Sequence, residues 1–569
     1  MGSTNKGRLH CPRLPELSVR GFWLCVAAVV LVKCVLTSFQ MAYTWVGGAP
    51  LDDELMFRAA NAISSGEWLG AYDYLTLSKS MFFAVWLAFL NVLHLPYLVS
   101  GQFLWCAASL LAALAFRPWL RHAGRGRWAE FAVFAVLAFN PASTAAYTLR
   151  VYRDNIFPAL CLICFAGFCG ALLRAIFTPD TRRWPWLLAA GAGLVTGYLD
   201  REDAGLFLLP FAALATVALV WLTLRDRRPV RLAALVLPFV MLGAGILTFC
   251  GLNQHYYGVF ALSDFSTGSF ADAMGAMARV EAPEGYTPLV AVTKGTRELL
   301  YENVPELAPL EYWLEEDPQL QNDFRDPDLD DYRAGSFYWA IRRAAQFEGL
   351  YDTAQEAEGY WASVAERINA LCDDDTLPSW TGERSSTTPP IRSEHVLPVL
   401  AESAKGALWA LTFQDCQPYE ELRSIGTEED FSQWSSYLNC RFNGAAEAGK
   451  DTPYDSPYQK IVFGFLQGVR YVYAALLPLS FLYALYLQIK KIPTVFKSRK
   501  TETLLPWALL LVLLGMAALR CAMIAFVEVS SFGIGTSTMY LATVHPLLLL
   551  YTAAAILTER LTIKSQPRK

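Results

Sequence analysis

Long apolar runs separated by short charged turns are the main pattern along this chain. Ten of these runs approach the length of about 20 residues that an α-helix needs to cross a bilayer. No comparable run occurs between 252 and 460, which indicates a separate region outside the membrane. The pattern therefore predicts an all-α polytopic membrane protein with ten transmembrane helices, at 22–45, 97–116, 128–147, 156–175, 184–199, 204–223, 231–251, 461–488, 504–526 and 539–557.

Basic residues cluster in alternate loops, and the positive-inside rule places those loops in the cytoplasm. Both termini are then cytoplasmic. Counting the apolar stretch 78–97 as a full span would invert every later loop, so we interpret it as a short re-entrant or membrane-surface helix. The basic clusters are Lys6/Arg8/Arg13/Arg20, Arg117/Arg121/Arg125/Arg127, Arg182/Arg183, Arg225/Arg227/Arg228/Arg231, Lys490/Lys491/Lys497/Arg499/Lys500 and Arg560/Lys564/Arg568/Lys569.

Composition agrees with this class, because 54% of the 569 residues are hydrophobic, which is too apolar for a soluble enzyme. The stretch 261–460 carries 36 of the 52 acidic residues but only 15 of the 47 basic ones. Its helical periodicity predicts a mostly helical domain. The predicted organisation is a cytoplasmic tail (1–20), a transmembrane module (21–251) with its first outer loop at 46–80, an acidic extracytoplasmic domain (252–460), C-terminal transmembrane helices (461–558) and a basic cytoplasmic tail (559–569).

The short outer turns mix acidic residues with cations, whereas the cytoplasmic loops are almost purely basic. Charged caps at the ends of spans would explain any one of these residues. As a set, they suit transfer from a phosphate-linked donor, because cations stabilise a phosphate leaving group and a carboxylate takes the proton of an acceptor hydroxyl. The candidates are Asp52, Asp53, Glu54, Lys79, Arg153, Asp154, Arg201, Glu202 and Asp203.

Four stretches resemble motifs of the GT-C superfamily of polyprenyl-phosphate-dependent membrane glycosyltransferases, which includes protein O-mannosyltransferases and aminoarabinose transferases. "LDDE" at 51–54 is similar to the first-loop Asp-Glu motif of that group, and Lys79 in "LSKSMFFAVWLAF" is placed like the lysine of "KPPLYYW". "LRVYRDNIFPAL" at 149–160 resembles its second acidic loop, and "TMYLATVHPLLLLYTAA" from Thr538 resembles "RYLLPLYPALALL" of its last core span.

The resemblance implies a GT-C-like, inverting glycosyltransferase on the outer face of a bacterial cytoplasmic membrane. Its partners would be a polyprenyl-phosphate-linked sugar and an envelope glycan, lipid or protein acceptor. Met539 stands where that group usually has arginine, and we expect Arg520 to substitute. Asp53 is the expected base, with Asp52 and Glu54 orienting it or binding a divalent ion. Lys79, Arg153 and Arg201 would hold the phosphate, ordered by Asp154, Glu202 and Asp203, and a divalent cation (Mg²⁺ or Mn²⁺) would bind at Asp53 and Asp154.

Other interpretations stay open at this point. An O-antigen polymerase or ligase also has many spans and a large outer loop, and a non-catalytic glycan-binding or transport protein is a further alternative. No Gly-rich phosphate loop and no nucleic-acid-binding patch occurs in the sequence. Cys416 and Cys440 lie in the predicted outer domain, where a disulfide between them is one hypothesis.

Overall fold

The computed structural model describes residues 16–45, 50–227, 229–418, 424–443, 456–498, 500–535 and 537–559. The predicted tails therefore lie mostly outside the described residues, as does the start of the first outer loop. Helices dominate these ranges, and one hairpin joins β1 (Arg325–Asp326) to β2 (Asp331–Tyr332) in antiparallel register. The helices are α1 (Val19–Ser38), α2 (Leu55–Ser65), α3 (Phe82–Val92), α4 (Tyr97–His122), α5 (Arg127–Ala138), α6 (Ala146–Leu149), α7 (Phe157–Phe177), α8 (Trp184–Asp200), α9 (Ala204–Arg225), α10 (Leu237–Tyr257), α11 (Ser269–Met277), α12 (Lys294–Asn303), α13 (Pro318–Phe324), α14 (Ala334–Phe347), α15 (Ala354–Asp373), α16 (Val396–Thr412), α17 (Glu428–Leu438), α18 (Pro457–Lys490), α19 (Ile492–Ser498), α20 (Thr501–Val527), α21 (Ser537–Tyr540) and α22 (Val544–Leu557).

The prediction of an all-α membrane protein is confirmed, although fewer helices than expected have the length of a span. In the described ranges, eight helical segments are long and apolar enough to cross a membrane. The helix α3 covers only 11 residues of the stretch 78–97 and is too short to cross, as expected. The eight segments are Val19–Ser38, Tyr97–His122, Phe157–Phe177, Ala204–Arg225, Arg231–Tyr257, Pro457–Ser498, Thr501–Phe532 and Thr538–Leu557.

Two predicted spans form shorter helices. The stretch 128–147 does not form one helix, because α5 ends after 12 residues at Ala138 and the chain turns at Asn140. Proline at 141 disfavours helical geometry in the residue before it, and the Asn140 side chain instead accepts a hydrogen bond from the Ala142 amide at 3.1 Å. The other predicted span, 184–199, forms α8, which has 17 residues. The interruption after α5 brings Arg150 to the end of the bundle.

The basic loops meet at one end of the helix bundle, and the mixed acidic and basic turns meet at the other end. Successive long helices run in opposite directions, so alternate loops share an end. The basic loops also hold the last helix and the N-terminal segment in place. Three contacts do this: Arg125 donates to the Leu557 carbonyl (2.8 Å), Arg127 donates to the Leu17 carbonyl (3.1 Å), and Lys491 pairs with Glu559 (2.8 Å).

The acidic region folds mainly as helices, as predicted, and α11 to α15 enclose a core of their own. A buried arginine fixes this core to the first outer loop. Arg342, on α14, donates to the Tyr74 carbonyl and lies 2.9 Å from the carboxylate of Asp264. Because such a buried charge needs a partner, this contact ties the acidic region to the charged end of the bundle.

The acidic region contains one apolar helix, α16, which the sequence pattern did not distinguish from the rest of that region. It packs against α18 and α20 rather than on the core of α11 to α15.

The two cysteines of the suggested disulfide lie apart. The chain after α16 places the Cys416 thiol beside the Tyr147 hydroxyl (3.3 Å) and His545 Nε2 (3.7 Å). Cys440 packs elsewhere, in the cluster around the first outer loop. Both thiols are free, so the suggested disulfide between Cys416 and Cys440 does not form here.

Candidate functional site

Three turns that are distant in sequence converge at one end of the bundle. The first follows α1 and carries a π-helical turn over Pro50–Glu54. The second joins α6 to α7 through a 3₁₀ turn at Arg153–Asn155, and the third joins α8 to α9. They bring together most of the charged residues that the sequence indicated: Asp52, Asp53, Lys79, Arg153, Asp154, Arg201, Glu202, Asp203 and Arg520.

Asp53 is fully buried and its carboxylate is fully occupied. Arg150 donates to it through Nε at 2.9 Å and through Nη2 at 2.5 Å. The Thr44 hydroxyl and the Trp45 amide also donate to Oδ2, at 3.1 Å and 2.9 Å. The Arg150 guanidinium lies 4.6 Å from the centre of the Trp45 ring. This set of contacts fixes the first turn to the second and leaves Asp53 no room to contact a substrate.

The neighbouring carboxylate, Asp52, points toward the opening of the site. Its side chain is 34% exposed, and it contacts the Lys79 ammonium and accepts a hydrogen bond from the Tyr152 hydroxyl at 2.8 Å. Burial alone would raise the pKa of Asp52, but Lys79 and Arg150 beside it hold that pKa well below its ordinary value. Asp52 is therefore ionised and accessible at neutral pH.

Lys79 lies between two aromatic rings, one of which comes from the acidic region. Its Nζ is 5.5 Å from the centre of the Tyr152 ring and 5.4 Å from that of Trp339, on α14. Such cation–π contacts keep an ammonium in a partly dry place. Trp339 stacks in turn on Phe265, with ring centres 4.7 Å apart. The acidic region thus covers part of the site.

Arg153 joins the second and third turns. Its Nη1 donates to both carboxylate oxygens of Glu202, at 2.9 and 2.8 Å, and its Nη2 donates to the Tyr152 hydroxyl at 2.8 Å. Glu202 also accepts the Ser80 amide at 2.6 Å. Burial opposes ionisation of Glu202, but Arg153 overcomes this effect and lowers its pKa. Among the described residues, Arg153 Nε has no hydrogen-bond partner.

Arg201 and Arg520, two buried arginines, share the carboxylate of Asp203. Arg201 Nε lies 3.1 Å from Asp203 Oδ1, and Arg520 Nη1 lies 2.5 Å from Asp203 Oδ2. Arg201 also contacts Asp154 at 3.3 Å, and its guanidinium lies 4.7 Å from the centre of the Tyr540 ring. Within the described part of the chain, Arg520 Nη2 is buried without a hydrogen-bond partner. An arginine from α20 thus reaches the position next to Met539 where the sequence lacked one.

Exposure divides the charges of the site into two layers. The carboxylate side chains of Asp52, Glu202 and Asp203 are 34%, 26% and 29% exposed. The Arg153 and Arg201 side chains below them are only 6% and 7% exposed. The accessible surface is therefore acidic, and the cations lie directly beneath it, where an incoming anion would have to compete with the carboxylates.

Glu54 is the one predicted site residue that lies away from this cluster. It is exposed, on the far side of the π-helical turn, where the charges nearest to it are Arg58, Asp430 and Asp73. The sequence interpretation in turn gave no site role to Arg150, Tyr152, Tyr540 or Trp339. Arg150 could have been recognised as a site residue, because it is a charged residue in an outer turn. The three aromatic residues gave no such signal, because Tyr and Trp are common at membrane interfaces.

The carboxylates expected to hold a divalent cation do not fit one in this arrangement. The oxygens of Asp53 are engaged by Arg150, Thr44 and Trp45, and Asp154 pairs with Arg201. A cation at either carboxylate would sit against a guanidinium. Among the described residues, no group of three or more His, Cys, Asp or Glu side chains is arranged to hold a metal ion.

The fold and the site define a polytopic, all-helical membrane protein with a charged site at one end of its bundle. No protein-family model matches the sequence, and no curated protein matches it. Among solved structures, the chain is similar to ArnT from Cupriavidus metallidurans bound to undecaprenyl phosphate, with a TM-score of 0.27 and 15% identity over 94% of this chain and 78% of that chain. The apo state of the same protein is similar over the same shares, with a TM-score of 0.25 and 15% identity. Because scores this low do not define a shared fold, function is inferred from the residues of this chain alone.

Proposed function

We propose that this chain is an integral membrane glycosyltransferase that moves a sugar from a polyprenyl-phosphate donor to a hydroxyl of a cell-envelope acceptor. The observation that carries the proposal is the position of Asp52, an accessible and ionised carboxylate that contacts Lys79 and shares the Tyr152 hydroxyl with the buried Arg153. A base next to a set of cations is what glycosyl transfer from a phosphate-linked donor requires.

In the proposed reaction, the acceptor hydroxyl attacks the anomeric carbon of the donor sugar. The bond between that carbon and the phosphate oxygen breaks, and the electron pair leaves with the polyprenyl phosphate. Asp52 takes the proton of the hydroxyl as the new glycosidic bond forms. Attack from the face opposite the phosphate inverts the anomeric configuration.

Asp52, rather than Asp53, takes the role of base in this proposal. Asp53 is enclosed by four donated hydrogen bonds and holds the loop in shape. The low pKa of Asp52 makes it a weak base while Lys79 contacts it. A donor phosphate that draws Lys79 away would raise this pKa and strengthen the base, so that proton transfer is favoured only when the donor is bound.

Lys79, Arg153 and Arg201 hold the phosphate in the proposal. Each already has a carboxylate partner, so binding is an exchange of partners in which the phosphate replaces Asp52, Glu202 and Asp203. Buried cations that pair with a carboxylate in the free protein avoid the cost of an uncompensated charge. Asp154 keeps Arg201 in place from below.

The charged end of the bundle is the outer side of the membrane in this proposal, because the opposite end carries the basic loops. Purified protein in lipid nanodiscs, incubated with a panel of polyprenyl-phosphate sugars and envelope acceptors, tests the function directly. Transfer by the unmodified protein and its loss in Asp52→Asn are expected. Equal transfer by Asp52→Asn would refute Asp52 as the base, and binding of glycan without any transfer or any affinity for polyprenyl phosphate would refute the transferase itself.

A further inference from the structure

The helix α16 belongs by sequence to the acidic region but lies along the transmembrane helices. It packs against α20 and α18 and also contacts α22. At its midpoint, Gly406 faces Leu541, and a Cβ added there would lie 3.1 Å from that side chain. Leu541 follows Tyr540, whose ring covers Arg201. The helix is therefore packed directly on the segment that lines the site.

The chain enters and leaves α16 at the same end of the bundle. Before the helix, the His395 ring lies 5.7 Å from that of Phe526, near the end of α20. After the helix, Phe413 stacks on His545 with ring centres 4.7 Å apart. Beyond residues 419–423, which lie outside the described ranges, the Ile425 amide donates to the Thr44 carbonyl at 2.9 Å, beside the first outer turn. This path is that of a re-entrant helix.

The inner end of α16 is closed by an arginine from a membrane-spanning helix. Phe413 adopts a left-handed conformation (φ 50°), and its carbonyl accepts a hydrogen bond from Arg470 Nε, on α18, at 2.9 Å. Backbone groups at the end of a helix need a partner, and in the absence of water that partner must come from the protein. The contact is what a helix end at membrane depth requires.

The outward face of α16 is apolar. Leu397, Leu400 and Leu408, which follow one another at helical spacing, are 77%, 61% and 57% exposed. The charges near this face neutralise each other, because Lys405 pairs with Glu402 at 3.0 Å and covers the Trp409 ring at 4.6 Å. A face this apolar is unusual on a domain surrounded by water.

The neighbours of α16 indicate what covers this face. At the basic end of the bundle, α18 and α20 touch directly, where Gln488 and Trp507 exchange two hydrogen bonds. Toward the charged end, α16 contacts both of them. The outward side of α18 beside it is also apolar and exposed, at Leu476 and Leu479. The apolar face of α16 thus continues the lipid-facing surface of a membrane-spanning helix.

We propose that α16 is immersed in the outer part of the bilayer and that its exposed leucines contact lipid acyl chains. The acidic region is then anchored in the membrane between α18 and α20, and the segment carrying Tyr540 is held from the lipid side. This inference does not depend on the proposed transferase activity, because it rests on packing and exposure alone.

Quenching of a fluorescent amino acid, introduced by codon suppression in the full-length protein in nanodiscs, tests the inference. The probe replaces Leu400 or Leu408, with Tyr312, an exposed residue of the acidic region, as aqueous control and Leu479 as lipid control. We expect lipids with nitroxide-labelled acyl chains to quench both α16 probes as they quench Leu479, and aqueous iodide to quench only Tyr312. Iodide quenching of the α16 probes at the Tyr312 level would overturn the inference. Resistance of both probes to both quenchers would also overturn it, because protein would then cover the face.

Discussion

The Arg150 guanidinium and the Asp53 carboxylate form a buried ion pair that joins the first outer turn to the second. Nε of Arg150 lies 2.9 Å from Oδ1 of Asp53, and Asp53 is 0% exposed. The Trp45 amide and the Thr44 hydroxyl complete the environment of the carboxylate. The pair therefore fixes the position of Asp52, the residue just before Asp53, and it leaves Asp53 no free oxygen for a reaction.

Replacing Asp53 with asparagine should therefore destabilise the protein. The substitution leaves the buried Arg150 charge with only the more distant Asp52 carboxylate, at 3.6 Å, and breaking a buried ion pair typically costs about 3–5 kcal/mol. Thermal unfolding in nanodiscs, followed by tryptophan fluorescence, should show a clear decrease in Tm. Glu54→Gln, an exposed neighbour on the same turn, serves as the control and should change stability by less than about 0.5 kcal/mol. Unchanged stability of Asp53→Asn would show that the pair does not hold the two turns together.

Asp52→Asn should have a different profile, with little transfer and a smaller loss of stability than Asp53→Asn, because Arg150 keeps its main partner and only Lys79 loses its counter-ion. The side chain is accessible, and loss of a positioned base typically reduces the rate by about 10²–10⁴-fold. The measurement is the initial rate of sugar transfer at saturating donor, with Glu54→Gln again as the control. A rate for Asp52→Asn within a few-fold of that of the control would exclude Asp52 as the base.

The pH profile should report the cations around Asp52. Lys79 and Arg150 hold its pKa well below the ordinary value of about 3.9, so Asp52 is already ionised above about pH 5. The rate at limiting donor, which reports the ionisation of the free protein, should therefore show no acid limb between about pH 5 and pH 7. Lys79→Met removes one of the cations, so the pKa of Asp52 rises and any acid limb moves toward neutral pH. An acid limb near neutrality in the unmodified protein that does not move in Lys79→Met would point to another base.

The charged residues of the site could be predicted from the sequence, but the division of roles among them could not. Asp52 and Asp53 are adjacent and chemically identical, and only the π-helical turn decides which one faces Arg150 and which faces the opening. Glu54 falls on the outer side of the same turn. Tyr152 and Trp339 contact Lys79 through tertiary packing, for which no local pattern gives a signal.

The membrane spans could be predicted from the sequence where the apolar runs were unbroken. Where the predicted spans and the helices of the structure differ, the cause is local. Asn140 and the proline that follows it end the helix that hydropathy extended to 147. The helix α16 escaped notice because Glu402 and Lys405 interrupt its apolar run, although the two charges neutralise each other in the fold. Hydropathy counts each charge separately, and so it missed a helix that packs on α20.

Labelling from one side of the membrane should separate the two ends of the bundle. A cysteine in place of Glu356, on the surface of the acidic region, should react with an impermeant maleimide applied to intact cells. A cysteine in place of Arg182, in an exposed basic loop, should react only after permeabilisation. The protein with its native cysteines alone gives the background. Reaction of both introduced cysteines, or of neither, in intact cells would contradict the opposite placement of the two ends.

Competition between Glu202 and the donor phosphate for Arg153 gives the sharpest prediction about donor binding. Glu202 receives two hydrogen bonds from Arg153 Nη1 in the free protein. If the phosphate replaces it, Arg153→Ala should weaken binding of polyprenyl phosphate by a factor of about 10 to 150, which corresponds to the roughly 1.5–3 kcal/mol of a charged hydrogen bond. Titration calorimetry or microscale thermophoresis in nanodiscs measures this affinity.

Glu202→Gln separates this mechanism from a purely structural pair. An amide keeps an acceptor for the Ser80 amide but competes less for Arg153, so polyprenyl phosphate should bind more tightly than to the unmodified protein, while Tm falls because the Arg153 charge loses its counter-ion. A structural pair predicts a lower Tm with unchanged affinity in the folded fraction.

Arg153→Lys adds a second test: a lysine retains the charge but lacks the planar fork of donors that contacts both Glu202 and Tyr152. Its donor affinity should therefore lie between those of Arg153→Ala and the unmodified protein. Equal affinity in all four proteins would assign the pair to stability alone and leave Lys79 and Arg201 to bind the phosphate.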